Sequence, residues 1–318
     1  LGDVYKRQIR ALCFPLIELS MIKKVINSIG NNLKKTNKDQ TIFIKSTVIP
    51  GTTKKIILPI LEKESGKKAE KDFGVISNPE FLQESNAIRD TKCPHAIILG
   101  GNDSKYMKKA KKFFSKMHPN VPIVITNFQT AEMIKYAANS FLAVKISYIN
   151  EIANLYDEIG ADVHVVANAL GTDGRISPKF LHPGPGFGGS CFPKDTKALV
   201  QIAKKYNIDM ATVTAAIETN IFQRKRMLNK LNDLLNNDLK GKIIAVLGLA
   251  FKQETNDVRE SPAIEIIKGI HDKGGIIKAY DPIANDSMKE IFPALDFKSS
   301  WYEAVAVSYT HLTLPTNR

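Results

Sequence analysis

From about residue 17 to residue 33 apolar side chains recur every three or four positions with polar ones between them, which predicts an amphipathic helix. Thr41-Ile-Phe-Ile-Lys45 is short, β-branched and aromatic, so it reads as a buried strand, and residues 52–64 return to helical spacing. Short strands follow at residues 73–76, 96–99 and 123–126, with a helix near 104–117 between the last two. Strands alternating with helices predict a parallel sheet covered on both faces, here the later part of a doubly wound α/β domain. The pattern changes near Gln129. A long helix to residue 159 and a shorter one after Asp162 precede residues 171–189, a loop too rich in Gly and Pro to be helix or strand. Helices over 193–205 and 209–236 complete a helical middle segment. After a turn at 237–241, Ile243-Ile-Ala-Val-Leu247 opens a second α/β unit, with its helix at 262–273 and its next strand at 276–280.

Composition narrows the function classes. A chain of 318 residues with 43% hydrophobic and 24% charged residues is long enough for two or three cores. No apolar run approaches the roughly 20 residues that cross a bilayer, and no signal-peptide pattern is visible. The formal charge of +13 is mostly lysine, spread through runs such as residues 105–112. Solvated helix faces account for such runs, and neither a focused basic stripe nor aromatic stacking platforms point to nucleic acid or to a membrane. A basic binding protein is the non-enzymatic alternative that this charge leaves. Cys13, Cys93 and Cys191 make no disulfide framework, and no His/Cys cluster has metal-ligand spacing, which favours a reduced, cytoplasmic compartment.

The ends carry a different signal. Residues 3–8, Asp-Val-Tyr-Lys-Arg-Gln, can be encoded by GATGTGTATAAGAGACAG, and the reverse complement of that string, shifted in frame, encodes Val307-Ser-Tyr-Thr-His311. Residues 1–8 and about 307–318 are therefore expected to be non-native adapter. The organisation expected between them is 9–127 for the first α/β domain, 128–236 for the helical domain and 237–306 for the start of the second α/β domain.

Candidate chemistry concentrates in Pro183-Gly-Pro-Gly-Phe-Gly-Gly-Ser-Cys-Phe-Pro-Lys-Asp195. Glycines before Cys191 let backbone approach a ligand, and Pro193 suits the first helical position, which puts Cys191 at a helix N-terminus. The dipole there and the charge of Lys194 favour a thiolate, so Cys191 is the candidate nucleophile. A Gly-x-Gly-x-x-Gly spacing occurs at Gly184, Gly186 and Gly189, but no strand is expected before it, so it does not read as a phosphate loop.

These residues resemble a known family. GFGGSCFPKD (186–195) is close to the active-site signature of the UDP-glucose 6-dehydrogenases, within the UDP-glucose/GDP-mannose dehydrogenase family. In the same order come KSTVIPGTT (45–53), SNPEFLQES (77–85), AEMIKYAANSFLAVKISYINE (131–151), RISPKFLHPGPGFGGS (175–190) and GLAFKQETNDVRESPA (248–263), so the resemblance covers roughly residues 17–306. It implies a partial Rossmann-like NAD domain, an all-helical centre and the start of a Rossmann-like UDP-binding domain. It also implies two oxidations of UDP-glucose to UDP-glucuronate with NAD, through a thiohemiacetal and a thioester on Cys191. Lys135, Asn139, Asp195 and Glu80 match the family's further catalytic positions. Ser46, Thr47, Val48, Glu84, Lys194 and Arg259 match positions that touch NAD. Phe81, Leu82, Lys135, Asn139, Arg175, His182, Pro183, Gly184, Pro185, Gly186, Phe187, Gly188, Phe251 and Lys252 match positions that hold the sugar nucleotide. The central helices imply a homodimer. A first-strand phosphate loop is absent before residue 17, so the chain as given is expected not to bind NAD normally and to be inactive by itself. Ala137-Ala-Asn139 and Ser190-Cys-Phe-Pro-Lys-Asp195 favour UDP-glucose over the siblings' GDP-mannose or UDP-N-acetylhexosamines. Gln83-Glu-Ser85 departs from the more frequent Arg-Glu-Gly, where serine has less backbone freedom.

Overall fold

The computed structural model describes residues 19–306, 308 and 310–314, and the chain divides into two compact units, residues 1–138 and 139–318. In the first unit, β1 (Gln40–Ile44), β2 (Phe73–Ser77), β3 (Ile97–Gly100) and β4 (Ile123–Thr126) form one sheet in that order. α1 (Ser20–Lys34) and α2 (Leu58–Ser65) bury Ile26, Leu33 and Leu61 with Ile44, Phe73 and Val75. On the other side α4 (Lys105–Met117) packs Met107 and Ala110 with Ile76, Ile97 and Leu99. β2 is buried at every position, which is why Phe-Gly-Val-Ile-Ser shows no alternation. The turn leading into α2, Thr53–Ile57, is π-helical rather than α-helical.

One expectation is corrected. β1–β2 and β3–β4 are parallel, but β2 and β3 run antiparallel, meeting at Ser77 and Gly100, so the sheet is mixed. A parallel step needs a crossover segment, usually a helix laid on the sheet. The link from β2 to β3 holds only α3 (Ala87–Lys92), none of whose residues is buried. Nothing there can cover a crossover, and the chain turns back.

α5 (Phe128–Ile159) contains the boundary between the units. Its later part belongs to the second unit with α6 (Val163–Thr172), α7 (Phe192–Lys204) and α8 (Ala211–Leu234). Asp162 caps α6 by accepting from His164 N and Val165 N. The remainder of this unit is a second sheet, all parallel, in which β5 (Ile243–Leu247) lies between β6 (Ile276–Tyr280) and β8 (Thr310–Thr313), and β7 (Asp296–Phe297) pairs with β6. α9 (Pro262–Asp272), capped by Ser261, lays Ile266, Ile267 and Ile270 against Ile244 and Val246. α10 (Asn285–Ile291) and α11 (Trp301–Val305) complete it. Residues 1–8, 307, 309 and 315–318, all in the segments read as adapter, lie outside the described residues. β8 lies in the second of those segments; its backbone ladder to β5 asks only for an extended stretch with strand propensity. No helix among the described residues is long and apolar enough to cross a membrane.

Candidate active site

In the second unit, Cys191 occupies the N-cap of α7 and is exposed. Phe192 is the first helical residue, so Pro193 sits one position further in than expected; first-turn amides have no intrahelical acceptor, and the proline forfeits no hydrogen bond. Cys191 Sγ lies 3.7 Å from Ser190 Oγ. Asp195, in the first turn, is 1% exposed, and Asn139 Nδ2 donates to its Oδ2 at 2.6 Å. Lys194 Nζ donates to the other oxygen of Asp195, so its charge is engaged by that carboxylate. A buried carboxylate is tolerated because both oxygens are met.

The loop before Cys191 is held from two sides. Asn220 on α8 accepts from Phe187 N at 2.7 Å and donates to Phe187 O at 3.0 Å, while Gln223 donates to Gly184 O at 2.9 Å. Asn150 on α5 accepts from Gly184 N at 2.8 Å. Gly186 takes φ +112°, and a Cβ there would stand 2.6 Å from Asn220 Oδ1. A Cβ on Gly188 would stand 2.3 Å from the Glu260 carbonyl oxygen, and one on Gly189 2.6 Å from the Phe251 ring. The glycines thus answer to protein atoms packed against the loop. No strand precedes Gly184, as the sequence reading held for that spacing.

The first unit gathers a second set. Lys135 on α5 is 4% exposed; its Nζ lies 3.5 Å from Glu80 Oε1 and 5.2 Å over the Phe81 ring. The ion pair and ring face offset the desolvation of the ammonium. Glu80 Oε2 accepts from Leu82 N, and Phe81 meets His95 edge-on at 5.0 Å. Lys45 Nζ donates to Asn78 Oδ1 at 2.9 Å, and Asn78 Nδ2 donates to Ile98 O at 2.8 Å, which ties the end of β2 to its neighbours. Ser46 and Thr47 follow the carboxyl end of β1, with Ser46 exposed. Val48 is 2% exposed, so its side chain belongs to the core. Lys135 and Asn139, at i and i+4 of α5, are both buried on one helical face.

Three family models match in chain order: the UDP-glucose/GDP-mannose dehydrogenase NAD binding domain over residues 15–118, the central domain over 129–221 and the UDP binding domain over 245–312. A UDP-glucose 6-dehydrogenase of Haloferax volcanii is 40% identical over 293 residues, covering 91% of this chain and 68% of that protein. The chain belongs to the UDP-glucose/GDP-mannose dehydrogenase family. A UDP-glucose 6-dehydrogenase of Rickettsia bellii is 45% identical over 86% of this chain, and the chain spans only 62% of that relative's length. A solved UDP-glucose dehydrogenase from Pyrobaculum islandicum superposes with a TM-score of 0.86 at 31% identity, covering 93% of this chain and 68% of the other.

Other family positions are placed as follows. Arg175 pairs with Asp173, whose oxygens lie 3.0 Å from Nε and 2.6 Å from Nη2; the pair lowers the carboxyl pKa and raises that of the guanidinium. Arg259 makes the same fork with Asp257, at 2.9 and 2.7 Å. Each is therefore oriented by a carboxylate two residues away. Lys252 Nζ lies 5.9 Å over the Phe251 ring, and His182 is exposed at the start of the glycine loop. The sequence reading missed Glu132, Lys145, Asn150, Asn220, Gln223 and Arg224. Lys145 Nζ donates to the carbonyls of Ile176, Ser177 and Lys179 and so fixes the loop after Arg175; burial lowers its pKa. A signal for three of them was available. Asn220, Gln223 and Arg224 stand at i, i+3 and i+4, one polar face in a helix whose inner face should be apolar.

Proposed function

We propose that the complete protein carrying this chain oxidises the primary alcohol of UDP-glucose, through the aldehyde, to the carboxylate of UDP-glucuronate. The reading rests on Cys191, exposed at the N-cap of α7, with the Asn139–Asp195 hydrogen bond one turn away. The sulfur adds to the aldehyde carbon, and the carbonyl oxygen takes up the proton, giving a thiohemiacetal that keeps the reactive aldehyde on the protein. After its oxidation to the thioester, water displaces the sulfur and releases the acid. By family position Lys135, paired with Glu80, stabilises charge on the reacting oxygen, and Glu80 accepts or returns the proton. Asp195 holds the Asn139 amide in one orientation, which fixes where that side chain meets substrate and water. Ser46 and Thr47, at the carboxyl end of a strand in a doubly wound sheet, fit a dinucleotide, as do Glu84, Lys194 and Arg259 by family position. NAD, when bound, supplies the hydride acceptor for both oxidations.

The test is Cys191→Ser in the complete protein, with kcat/KM compared on UDP-glucose, GDP-mannose and UDP-N-acetylglucosamine. The expected result is loss of glucuronate formation in the variant and a preference for UDP-glucose in the parent. Unchanged acid formation after the substitution would remove the covalent route. Preference for another sugar would reassign the substrate within the family.

α5 also presents Phe141, Tyr148, Leu155 and Ile159 to solvent, each more than half exposed. Their spacing of seven and four residues makes an apolar stripe, which supports a homodimer through this helix. Phe141→Glu is expected to yield a monomer in sedimentation; an unchanged assembly would place the interface elsewhere. Exposed, unpaired Cys93 and Cys191 support a reducing, cytoplasmic setting.

A further inference from the structure

Arg224 on α8 is 5% exposed, and its guanidinium joins two segments far apart in sequence. Nη2 donates to Phe187 O at 2.8 Å and to Glu260 O at 2.9 Å. Nη1 donates to Glu265 Oε1 at 2.7 Å and lies 3.9 Å from Glu260 Oε2. Phe187 belongs to the glycine loop that runs into Cys191, whereas Glu260 and Glu265 belong to the entry and first turn of α9. The same two segments meet again where Gly189 N donates to Arg259 O at 2.9 Å, and where Gly188 leaves no room for a Cβ beside Glu260 O. Arg224 Nε is buried without a hydrogen-bond partner. A buried cation with an unmet donor is a poor source of stability. What the planar fork supplies is geometry, because one group fixes a carbonyl on each segment at once.

We propose that Arg224 is a positioning residue that sets where the Cys191 thiol stands by locking the glycine loop to the 259–265 segment of the last α/β half. This rests on the dehydrogenase reading only for what the thiol then does; the lock itself is a property of the chain. It also gives a route by which a nucleoside diphosphate held on that half would govern the thiol's placement.

The measurement is the rate of iodoacetamide labelling at Cys191 relative to Cys93, read peptide by peptide in mass spectra. Cys93 is exposed in the other unit and serves as the internal reference. In Arg224→Met the Cys191/Cys93 ratio should change about fivefold or more, and Arg224→Lys, which keeps the charge and loses the fork, should fall between it and the parent. General loosening of the protein would move both cysteines together. A ratio within about twofold of the parent in Arg224→Met would overturn the proposal. If Arg224→Met does not fold, Arg224→Lys and Glu265→Gln decide, since the Glu265 side chain is 48% exposed and its replacement leaves the core intact. A shift in either supports the lock, and no shift in both refutes it. Failure to oxidise any nucleotide sugar would sink the dehydrogenase reading and leave this labelling result standing.

Discussion

Glu132 holds the most consequential hydrogen bonds that the sequence did not reveal. It lies on α5 one turn before Lys135, is 3% exposed, and its carboxylate accepts from the backbone N–H groups of Gly51 and Thr53, at 2.9 Å for Thr53. Those amides belong to the turn after β1 that carries Ser46 and Thr47, so one side chain fastens that turn to α5. Glu132→Ala orphans two buried donors at about 1–3 kcal/mol each, or about 4 kcal/mol together. At about 1.4 kcal/mol per factor of ten, the local opening equilibrium should rise by two to three orders of magnitude. Hydrogen exchange of a peptide spanning Gly51 and Thr53, followed by mass spectrometry, reads this directly. Exchange within about threefold of the parent would show that the carboxylate does not carry the turn. A pH signature accompanies it. Burial raises the Glu132 pKa above its ordinary 4.5, against the pull of the Thr53 and Gly51 bonds. The folded state then keeps a proton that the unfolded state has released, so stability falls as pH rises from about 4.5 through the raised value and is flat beyond it. Glu132→Gln cannot titrate. The parent's advantage over it in urea unfolding should therefore shrink across that window; an advantage that grew with pH would contradict the assignment.

Two backbone positions give further expected outcomes. Ser85 holds φ +71°, the left-handed region where glycine is unstrained. Ser85→Gly should raise stability by up to about 1 kcal/mol, seen as a higher urea midpoint; a lower midpoint would mean that the serine hydroxyl outweighs the strain. Gly186→Ala combines φ +112° with a Cβ 2.6 Å from Asn220 Oδ1, so it should break the Asn220–Phe187 pair, lower Tm by several degrees and reduce turnover. Unchanged Tm and turnover would show that the loop can move off α8 freely.

What the sequence by itself determined is local. Periodicity located the longer helices and the strands up to Tyr280 to within about three residues, because 3.6- and 2-residue repeats are written into the side chains that must face the core. It gave no element at α3, α10, β7, α11 or β8, which are too short to carry a repeat. The run Gly186–Asp195 marked the helix N-terminus at Cys191, because a helix start, a proline and close backbone approach are short-range demands. Strand direction was not available in this way. Whether β3 runs with or against β2 depends on whether a covering helix lies between them, and the six-residue α3 is too short and too exposed to serve. Partners were equally hidden. Glu132 and Gly51 are separated by 81 positions, Arg224 and Glu265 by 41, and nothing in the chemistry of either residue names the other. Only folding brings those backbone donors and acceptors into a low-dielectric interior, where each must find a counterpart. That requirement makes Asn220, Gln223 and Arg224 a cradle for the glycine loop before Cys191, where the sequence showed three polar residues on a helix.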